Sequence, residues 1–394
     1  MRILWLHQYF ATPAGWGSVR TYEFGRRFVA AGHAVDVLCC AAYDPSLAGR
    51  GEVEIAGMRV RVSRTRYCPQ MGFLTRVGAF LSFAAFALWH VLRQGRKYDL
   101  IVASSGPLTM AIPALAAQWI HGTPFVFEVI DVWPDAAIEA GVLRNRLLQW
   151  LAFRLEAAAY QRASRIVTCS PGMTTRILRK GVAAERIVTI PNCCDLDVFR
   201  PDPARRVELR ATLGVRDGQF VVAYTGAMGR SNAVDDIVRA AKQLAGDVRI
   251  VWWFAGDGAE ADRIRALPTA RMFGALPRKR VVELCQAADA ALVTFLPAPL
   301  FEENSPNKFF DAISAGLPMI FNRSTWLQPE IAQYGCGFVC SSKDPATEMA
   351  MRIRQLADDS ALRARLAAGA RRLAEERYSR DELAKKYLKA LGGG

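Results

Sequence analysis

The chain has no cysteine spacing typical of a zinc site, no internal repeat and no low-complexity segment. Its nine cysteines form two adjacent pairs and five scattered single residues. An odd number of scattered cysteines is typical of reduced thiols rather than of a disulfide framework. We therefore expect a cytoplasmic protein without a structural zinc ion.

The sequence also predicts neither a secretory leader nor a full-length membrane span. The apolar N-terminus, residues 1–6, is too short for a signal peptide and predicts a first β-strand. Sixteen uncharged residues lie between Arg76 and Arg93, whereas a membrane-spanning helix needs roughly 20. This run predicts either a helix in a domain core or an interfacial helix whose flanking cations hold anionic headgroups.

Positive charge, by contrast, is abundant. A net charge of +14 and a pI near 9.6 imply an anionic partner: nucleic acid, an anionic membrane or a phosphorylated substrate. Residues 59–97 hold eight basic residues and no Asp or Glu, beside an apolar aromatic run. This combination suits a lipid-phosphate acceptor, and since no DNA- or RNA-binding motif is visible, we expect no nucleic-acid partner.

Strand-like and helix-like segments alternate along the 394 residues, which predicts two or three α/β domains with doubly wound parallel sheets. Two segments share the order strand, small-residue turn and helix, which suits anion binding. The first turn contains Gly15 and Gly17, with Ser18 as the expected helix cap. The second contains Gly226 and Gly229, followed by Arg230, which can direct two N–H groups onto a phosphate. Two such units imply a cleft between them.

The most informative stretch is Phe301–Pro318, FEENSPNKFFDAISAGLP. Its polar turn leads into a predicted helix, Lys308–Ala315, that Gly316 and Pro318 end. The N–H groups at the start of that helix suit a phosphate or a sugar, and Lys308 adds a cation. The alternative is an acidic surface loop capped by Asn304 or Ser305.

Two further carboxylate groups are candidates for chemistry. Asp131, and with less support Glu128, lie near the carboxyl end of a predicted strand, where ligand-facing side chains collect. They are candidate acceptor-side bases, although Asp131 could instead cap the following turn. Asp195-Leu196-Asp197 has the form of a metal-binding D-x-D motif, but no other carboxylate or His is near in the sequence, so we favour turn and cap roles and expect no metal.

Two of these segments resemble GT-B glycosyltransferases of glycosyltransferase family 4. Glu303 to Asp311 resembles the E-x7-E element, with Asp where the family usually has Glu, and Pro191–Pro201 resembles the interdomain segment. The Pro-Asn-Lys-Phe-Phe-Asp variant within the element is similar to the branch that builds bacterial surface polysaccharides, including O-antigen and aminosugar transferases.

The resemblance implies roles for particular residues. Glu303 would hold the donor sugar hydroxyls, Asp311 the ribose, and Arg230 and Lys308 the donor diphosphate, because Asn232 occupies the position of the usual second cation. The glycine loop of residues 15–18 would face the donor phosphates and the acceptor. The remaining implied donor contacts are Gly226, Gly229, the backbone of Gly274 and Leu276 against the base, and Asn304, Ser305, Pro306 and Asn307 near the phosphates.

The resemblance also implies an organisation and an activity. We expect an acceptor domain (1–195) with a membrane-facing stretch (59–97), a nucleotide-sugar domain (196–375) and a terminal helical segment (376–394) that returns to the first domain. The expected activity is retaining, metal-independent sugar transfer without a cofactor. The donor would be a nucleotide diphosphate sugar, with UDP favoured, and the acceptor a polyprenyl-diphosphate-linked sugar at the inner face of the cell membrane. Ile130 stands where many members have His, so that residue's role is not carried over.

Two alternatives from other functional classes remain open. The first is a GT-B-like sugar-nucleotide epimerase or hydrolase, which would turn over without an acceptor. The second is a non-catalytic membrane- or anion-binding protein, which would tolerate the loss of Glu303 or Arg230.

Overall fold

The computed structural model describes residues 1–68, 71–139 and 141–392, so two residues of the 59–97 stretch and the end of the predicted terminal segment lie outside the described residues. The chain forms two compact units. Unit 1 comprises Met1–Pro191 together with the C-terminal segment from Asp381, and unit 2 comprises Asn192–Arg380. The units therefore divide after 191 and 380, close to the positions 195 and 375 that the sequence indicates.

Unit 1 contains an eight-stranded sheet with the order β3-β4-β2-β1-β5-β6-β7-β8. Every pairing is parallel except that of β3 with β4, which form an antiparallel hairpin at one edge. The central strands are apolar and buried on both faces, as parallel strands covered by helices must be. The strands are β1 (Arg2–Leu6), β2 (Ala34–Cys40), β3 (Glu52–Ile55), β4 (Met58–Ser63), β5 (Leu100–Ser104), β6 (Phe125–Val129), β7 (Arg165–Thr168) and β8 (Ile187–Thr189).

The helices of unit 1 connect these strands. They are α1 (Arg20–Ala30), α2 (Phe73–Gln94), α3 (Ala111–His121), α4 (Asp135–Glu139), α5 (Arg146–Arg162) and α6 (Pro171–Arg179). The prediction that Ser18 caps the first helix is wrong. The helix begins at Arg20 after Val19, whose side chain makes no cap, and the Ser18 hydroxyl only accepts a long 3.4 Å hydrogen bond from the Arg20 N–H.

Unit 2 contains a six-stranded, all-parallel sheet with the order β11-β10-β9-β12-β13-β14. The prediction of two doubly wound α/β domains is thereby confirmed. The strands are β9 (Phe220–Thr225), β10 (Ile250–Ala255), β11 (Ala270–Gly274), β12 (Ala290–Val293), β13 (Met319–Phe321) and β14 (Gly337–Val339). The helices are α7 (Pro203–Thr212), α8 (Val234–Gln243), α9 (Ala261–Arg265), α10 (Arg278–Ala287), α11 (Pro299–Glu302), α12 (Asn307–Ser314), α13 (Gln328–Tyr334), α14 (Pro345–Asp358) and α15 (Ser360–Arg377).

The last helix, α16 (Arg380–Ala390), completes the core of unit 1. The fully buried ring of Tyr387 contacts three aromatic rings of β1 and α1, with centroid distances of 5.8 Å to Trp5, 5.3 Å to Phe24 and 5.6 Å to Phe28. Because these rings belong to the first thirty residues, the core of unit 1 combines the two ends of the chain.

Helix α2 is longer than the uncharged run that predicts it, and it has two different faces. One face is buried in unit 1 through Phe83, Ala87 and Val91, whereas Leu74 and Trp89 on the other are 82% and 52% exposed. By length and composition the segment Phe73–Lys97 could cross a membrane, although 39% of its most apolar window is buried inside the protein. The core interpretation of this run is therefore correct for one face of the helix, and an interfacial role of the exposed face stays a prediction.

Candidate active site

The carboxyl ends of β9 and β10 approach each other closely in unit 2. The Gly226 N–H donates to the carbonyl of Ala255 at 2.8 Å, and a Cβ on Gly256 would lie only 1.9 Å from the Gly226 carbonyl oxygen. Gly226 and Gly256 both have positive φ angles, +142° and +141°, which residues with side chains rarely adopt. Glycine at these positions allows the two strand ends and the Lys308 side chain to approach each other closely.

Lys308, in the first turn of α12, extends over this glycine turn. Its ammonium donates a hydrogen bond of 2.7 Å to the Tyr224 hydroxyl and lies 4.1 Å from the centroid of that ring. A Cβ on Gly226 would lie 3.2 Å from the Lys308 Cε, so the glycine makes room for the lysine stem. Within the described part of the chain, no carboxylate pairs with this ammonium, and desolvation by burial lowers the pKa of Lys308 to about 7.

Arg230 supplies a second cation at the same β9–α8 connection. Its side chain is exposed and makes no ion pair with any described residue. The adjacent Asn232, by contrast, holds the turn in shape: its side-chain oxygen accepts from the Gly229 N–H at 3.3 Å, and its carbonyl accepts from the Thr294 hydroxyl at 2.6 Å. Asn232 is therefore structural, and the cations near this turn are Arg230 and Lys308.

The turn of residues 303–307 leads from α11 into α12. Glu303 is half-buried at the end of α11, and Asn304 accepts a 2.8 Å hydrogen bond from the Trp326 indole through its carbonyl. Ser305 is buried, where its hydroxyl accepts from the Asn192 N–H at 3.1 Å. The alternative that Asn304 or Ser305 caps the helix is wrong: Pro306 precedes α12, no side chain caps its amides, and the exposed Asn307 is its first residue. Those first amides remain able to donate to a ligand.

Asp311 lies one turn further along α12 in a buried ion network. Its two oxygens accept from the Arg278 guanidinium at 3.0 and 3.4 Å, and the same guanidinium also binds Asp195. Asp195 in turn pairs with Arg380 at 2.5 Å. Burial raises the pKa of the Asp311 carboxyl even though Arg278 opposes this shift. A ribose contact of Asp311 stays a prediction, since the side chain is only 11% exposed and already has a partner.

The same network includes one carboxylate of the Asp195-Leu196-Asp197 sequence. The Asp195 carboxylate is bound to two guanidinium groups and Asp197 is exposed. Across residues 1–68, 71–139 and 141–392, no group of three or more His, Cys, Asp or Glu side chains is arranged to hold a metal ion. Asp195 is therefore an ion-pair partner within unit 2 rather than a turn cap alone.

The two carboxylates at the end of β6 in unit 1 differ sharply. Glu128 is fully buried, pairs with Arg20 at 2.9 Å and accepts a 2.5 Å hydrogen bond from Ser104. Burial alone would raise the pKa of Glu128, but Arg20 and Ser104 bring it below the ordinary value. Glu128 is thus a structural ion-pair partner and is wrongly proposed as a base. Asp131 is exposed, and in the described structure its side chain caps no turn.

The glycine loop before α1 packs tightly on the segment after β2. A Cβ on Gly15 would lie 2.5 Å from the Tyr43 carbonyl oxygen, and a Cβ on Gly17 would lie 2.7 Å from the Tyr43 Cβ. The buried Asp44 fixes this segment by accepting from the Thr12 N–H at 2.9 Å and from its hydroxyl. Close packing against Tyr43 is enough to explain why Gly15 and Gly17 are glycines. Their contact with phosphates or with the acceptor stays a prediction.

The remaining predicted donor contacts lie beyond β10 in unit 2. Gly274, with a φ of +70°, ends β11, and its carbonyl accepts from the Gly256 N–H at 2.7 Å. Leu276 is half-buried two residues later. The backbone of this segment therefore joins the same strand-end surface as Gly226, which is compatible with its predicted contact with a base. Sequence reasoning missed Arg278 and Tyr224, since neither stands in a recognisable local motif.

The two doubly wound units give the chain the GT-B fold of glycosyltransferases. Two cations, Lys308 and Arg230, lie at a glycine turn of the second unit. Residues 17–193 match the family described as glycosyl transferase 4-like domain, and residues 206–373 match the one described as glycosyl transferases group 1. The chain belongs to the glycosyltransferases that combine these two domains. The resemblance to family 4 that the sequence motifs indicate is thereby confirmed.

Curated relatives are bacterial proteins of similar type. The chain is 27% identical over 264 residues to the probable glycosyltransferase WbjE of Pseudomonas aeruginosa, covering 64% of each chain. It is 25% identical over 211 residues to the putative colanic acid biosynthesis glycosyl transferase WcaI of Escherichia coli, covering 52% of each. The matches thus span about half to two thirds of the length of these relatives.

Solved structures share the fold over the entire chain. Anabaena Alr3699/HepE, crystallised with UDP and glucose, has a TM-score of 0.75 at 19% identity, and WaaG, a glycosyltransferase involved in lipopolysaccharide biosynthesis, has a TM-score of 0.71 at 18% identity. Each comparison covers all of both chains. At such low identity, the likeness establishes the fold alone.

Proposed function

We propose that this protein transfers a sugar from a nucleotide diphosphate sugar, with UDP as the favoured nucleotide, to a lipid-linked sugar acceptor in bacterial polysaccharide biosynthesis. The observation that carries the proposal is a pair of cations at the glycine turn of unit 2, Lys308 and Arg230, for which the described residues supply no carboxylate partner. A desolvated ammonium is costly unless an anion compensates for it. A donor diphosphate is such an anion.

The proposed roles of the site residues follow from the position at which negative charge develops during sugar transfer. When the bond from the sugar to the diphosphate breaks, negative charge builds up on the leaving oxygen, and fixed cations and helix N–H groups lower the energy of that state. Lys308, Arg230 and the first amides of α12 supply these groups without a metal. Glu303 would bind the sugar hydroxyls, and Asp131 in unit 1 is the proposed base that accepts the proton of the acceptor hydroxyl. We propose retention of anomeric configuration, with departure and attack on the same face of the sugar.

A membrane-bound acceptor fits the surface of unit 1. Large apolar side chains are exposed on three helices, with α3 in contact with both α2 and α5. Trp119 on α3 is 88% exposed, and Leu147 and Trp150 on α5 are 64% and 58% exposed. Exposed tryptophan beside arginine is typical of surfaces that insert into the headgroup region of a bilayer. We therefore propose a peripheral location on the inner face of the cell membrane.

Release of nucleotide diphosphate from UDP-, GDP- and dTDP-sugars, with and without membrane lipid extract, tests the proposal. Release that depends on the extract is the expected result and identifies the donor. Release of equal rate without any acceptor would indicate the hydrolase or epimerase instead. If folded protein releases nothing from any donor, a binding function replaces the proposed one.

Binding of UDP should weaken as the pH rises from 6.5 to 8.5. The pKa of Lys308 in the free protein is about 7, so its charge is present below that pH and is lost above it. If the diphosphate requires the charged form, the dissociation constant rises by up to about tenfold for each pH unit above 7. Titration calorimetry at several pH values measures this dependence.

Lys308→Arg is the matched control, because a guanidinium keeps its charge throughout this range. Its dissociation constant for UDP should change much less with pH than that of the wild type. Equal pH profiles for the two proteins would show that Lys308 does not carry the charge that UDP requires.

A further inference from the structure

Unit 1 contains an open groove of about 490 Å³ between the β3–β4 edge of the sheet and α2. Its walls come from Gly51 and the end of β4 with the residues after it, 62–65, and from Ser82 and Phe86 of α2. One wall is therefore polar and basic, and the other belongs to an apolar helix. This mixture is unusual for a simple packing defect, which would be lined by apolar groups alone.

Three hydroxyl groups form a row inside the groove. The Ser63 and Thr65 hydroxyls are 2.7 Å apart, and those of Thr65 and Ser82 are 3.1 Å apart. A hydroxyl both donates and accepts, so the row can turn its hydrogens toward an added anion without losing its internal bonds altogether. Ser82 is exposed, which keeps the end of the row accessible.

The arginines around the groove differ from those on the adjacent strand. On β4, Arg61 pairs with Glu52 at 2.8 Å and with Asp36 at 3.1 Å, and Arg59 lies 3.5 Å from Glu52. Arg64, at the groove, and Arg66 are exposed and form no ion pair with any residue that the structure describes. Positive charge is thus left uncompensated at the groove, where an anionic ligand would balance it.

The apolar wall of the groove continues as a stripe along α2. Leu74, Leu81, Trp89 and Leu92 are 82%, 53%, 52% and 45% exposed, and no charged residue lies between Arg76 and Arg93. Ser82 and Phe86 border both the stripe and the groove. A ligand with an anionic head and a long apolar tail could therefore place each part against matching protein surface.

The other end of the polar wall leads to the glycine loop. Three residues after Arg64, the ring of Tyr67 lies 4.9 Å from Tyr9 and 6.2 Å from Tyr43. A Cβ on Gly17 would lie 2.7 Å from the Tyr43 Cβ, so Tyr43 packs directly against the glycine loop. Three extended residues span about 10 Å, so a group attached to an anion at Arg64 can extend along this segment toward residues 15–18.

We propose that this groove binds the phosphate of the lipid-linked sugar acceptor, with the lipid chain along the α2 stripe and the sugar directed toward the glycine loop. The assignment of the ligand as the acceptor rests on the proposed function. The groove itself, its hydroxyl row and the uncompensated Arg64 point to a lipid phosphate. An ordinary phospholipid would use the groove and the stripe but not the path to the glycine loop.

Flotation with phosphatidylcholine vesicles that contain a polyprenyl diphosphate tests this proposal. Arg64→Ala removes the cation, and Ser82→Phe fills the groove from the helix side. Each should bind these vesicles at least about tenfold more weakly than the wild type, the usual effect of losing a charge-assisted contact. Arg59→Ala, which removes the same charge from the neighbouring strand, should bind as the wild type does.

Vesicles with phosphatidylglycerol at equal charge separate the two sources of phosphate. An equal loss of binding by Arg64→Ala to both kinds of vesicle would overturn the acceptor as ligand, because the groove would then recognise bulk headgroups. If Arg64→Ala and Ser82→Phe bind the polyprenyl diphosphate vesicles as the wild type does, the groove is not the site. The same conclusion follows if Arg59→Ala loses as much binding as Arg64→Ala. Each variant should bind UDP as the wild type does when this is measured without lipid. This measurement distinguishes a wrong assignment of the groove from a wrong assignment of the donor site.

Discussion

A Lys308→Met variant should be more stable than the wild type and at least about a hundredfold slower in sugar transfer. The ammonium is desolvated beside Tyr224 and has no carboxylate partner within the described residues, so the folded protein bears the cost of keeping it charged. Methionine has a similar length and no charge. We expect a gain of about 1 kcal/mol in the free energy of unfolding, a modest figure because the lysine is only half-buried.

The loss of transfer has a separate cause. A cation beside a leaving diphosphate stabilises charge that is largest in the transition state, and removing such a group costs on the order of a hundredfold in rate. Denaturant unfolding and initial rates of nucleotide release measure the two effects on the same protein sample.

Lys242→Met, which makes the same change at an exposed position at the end of α8, is the control and should alter neither quantity. A Lys308→Met protein that is less stable than the wild type would show that the ammonium is already compensated in the free protein. One that transfers sugar at the wild-type rate would remove Lys308 from the proposed mechanism.

An Arg278→Leu variant should lose about 3–5 kcal/mol of unfolding free energy, the usual effect of removing one partner from a buried ion pair. The leucine leaves the Asp311 carboxylate buried without its guanidinium, and Asp195 also loses its contact with Arg278. Arg278 also lies 4.7 Å from the centroid of the Phe199 ring, so packing is lost as well. Guanidinium chloride unfolding measures the change.

The pH dependence of that loss identifies its cause. Without Arg278, the pKa of Asp311 should rise further above its unfolded value, because the cation that most strongly opposes the effect of burial is lost. An acid whose pKa is raised on folding destabilises the protein at pH values above that pKa, so the deficit should be larger at pH 8 than at pH 5.

The double variant Arg278→Leu/Asp311→Asn, which removes the buried carboxylate at position 311 as well, should recover part of the stability. A deficit that is the same at both pH values and in the double variant would assign the effect to packing against Phe199 rather than to the buried carboxylate.

The fold and part of the site are readable from local sequence patterns. Alternating strands and helices predict both doubly wound sheets, and the segment from Glu303 to Pro318 predicts the helix that carries Lys308. Its start is displaced by one residue, since Pro306 is the residue before the helix. These features depend on neighbouring residues, which is why the sequence alone reveals them.

Other features depend on residues far apart in the chain. Arg278 meets Asp195 across 83 residues and Asp311 across 33, and no local pattern marks such partners. Glu128 illustrates the opposite error: its position at a strand end suggests a ligand contact, but its pairing with Arg20, 108 residues away, buries it in the core. The alternation of apolar and basic residues in 58–62 is the pattern of a half-buried strand and could have predicted β4 of the hairpin. The arginines alone suggest only a basic surface.

The burial of Tyr387 among Trp5, Phe24 and Phe28 also bears on how the protein is made. A ribosome releases residues in order, and N-terminal domains commonly fold while the rest of the chain is still being synthesised. Unit 1 cannot do so completely, because its core lacks α16 until all of unit 2 has been synthesised. The nascent protein therefore holds an unfilled aromatic cavity throughout the synthesis of unit 2, and a chain that terminates before α16 leaves that cavity open to solvent.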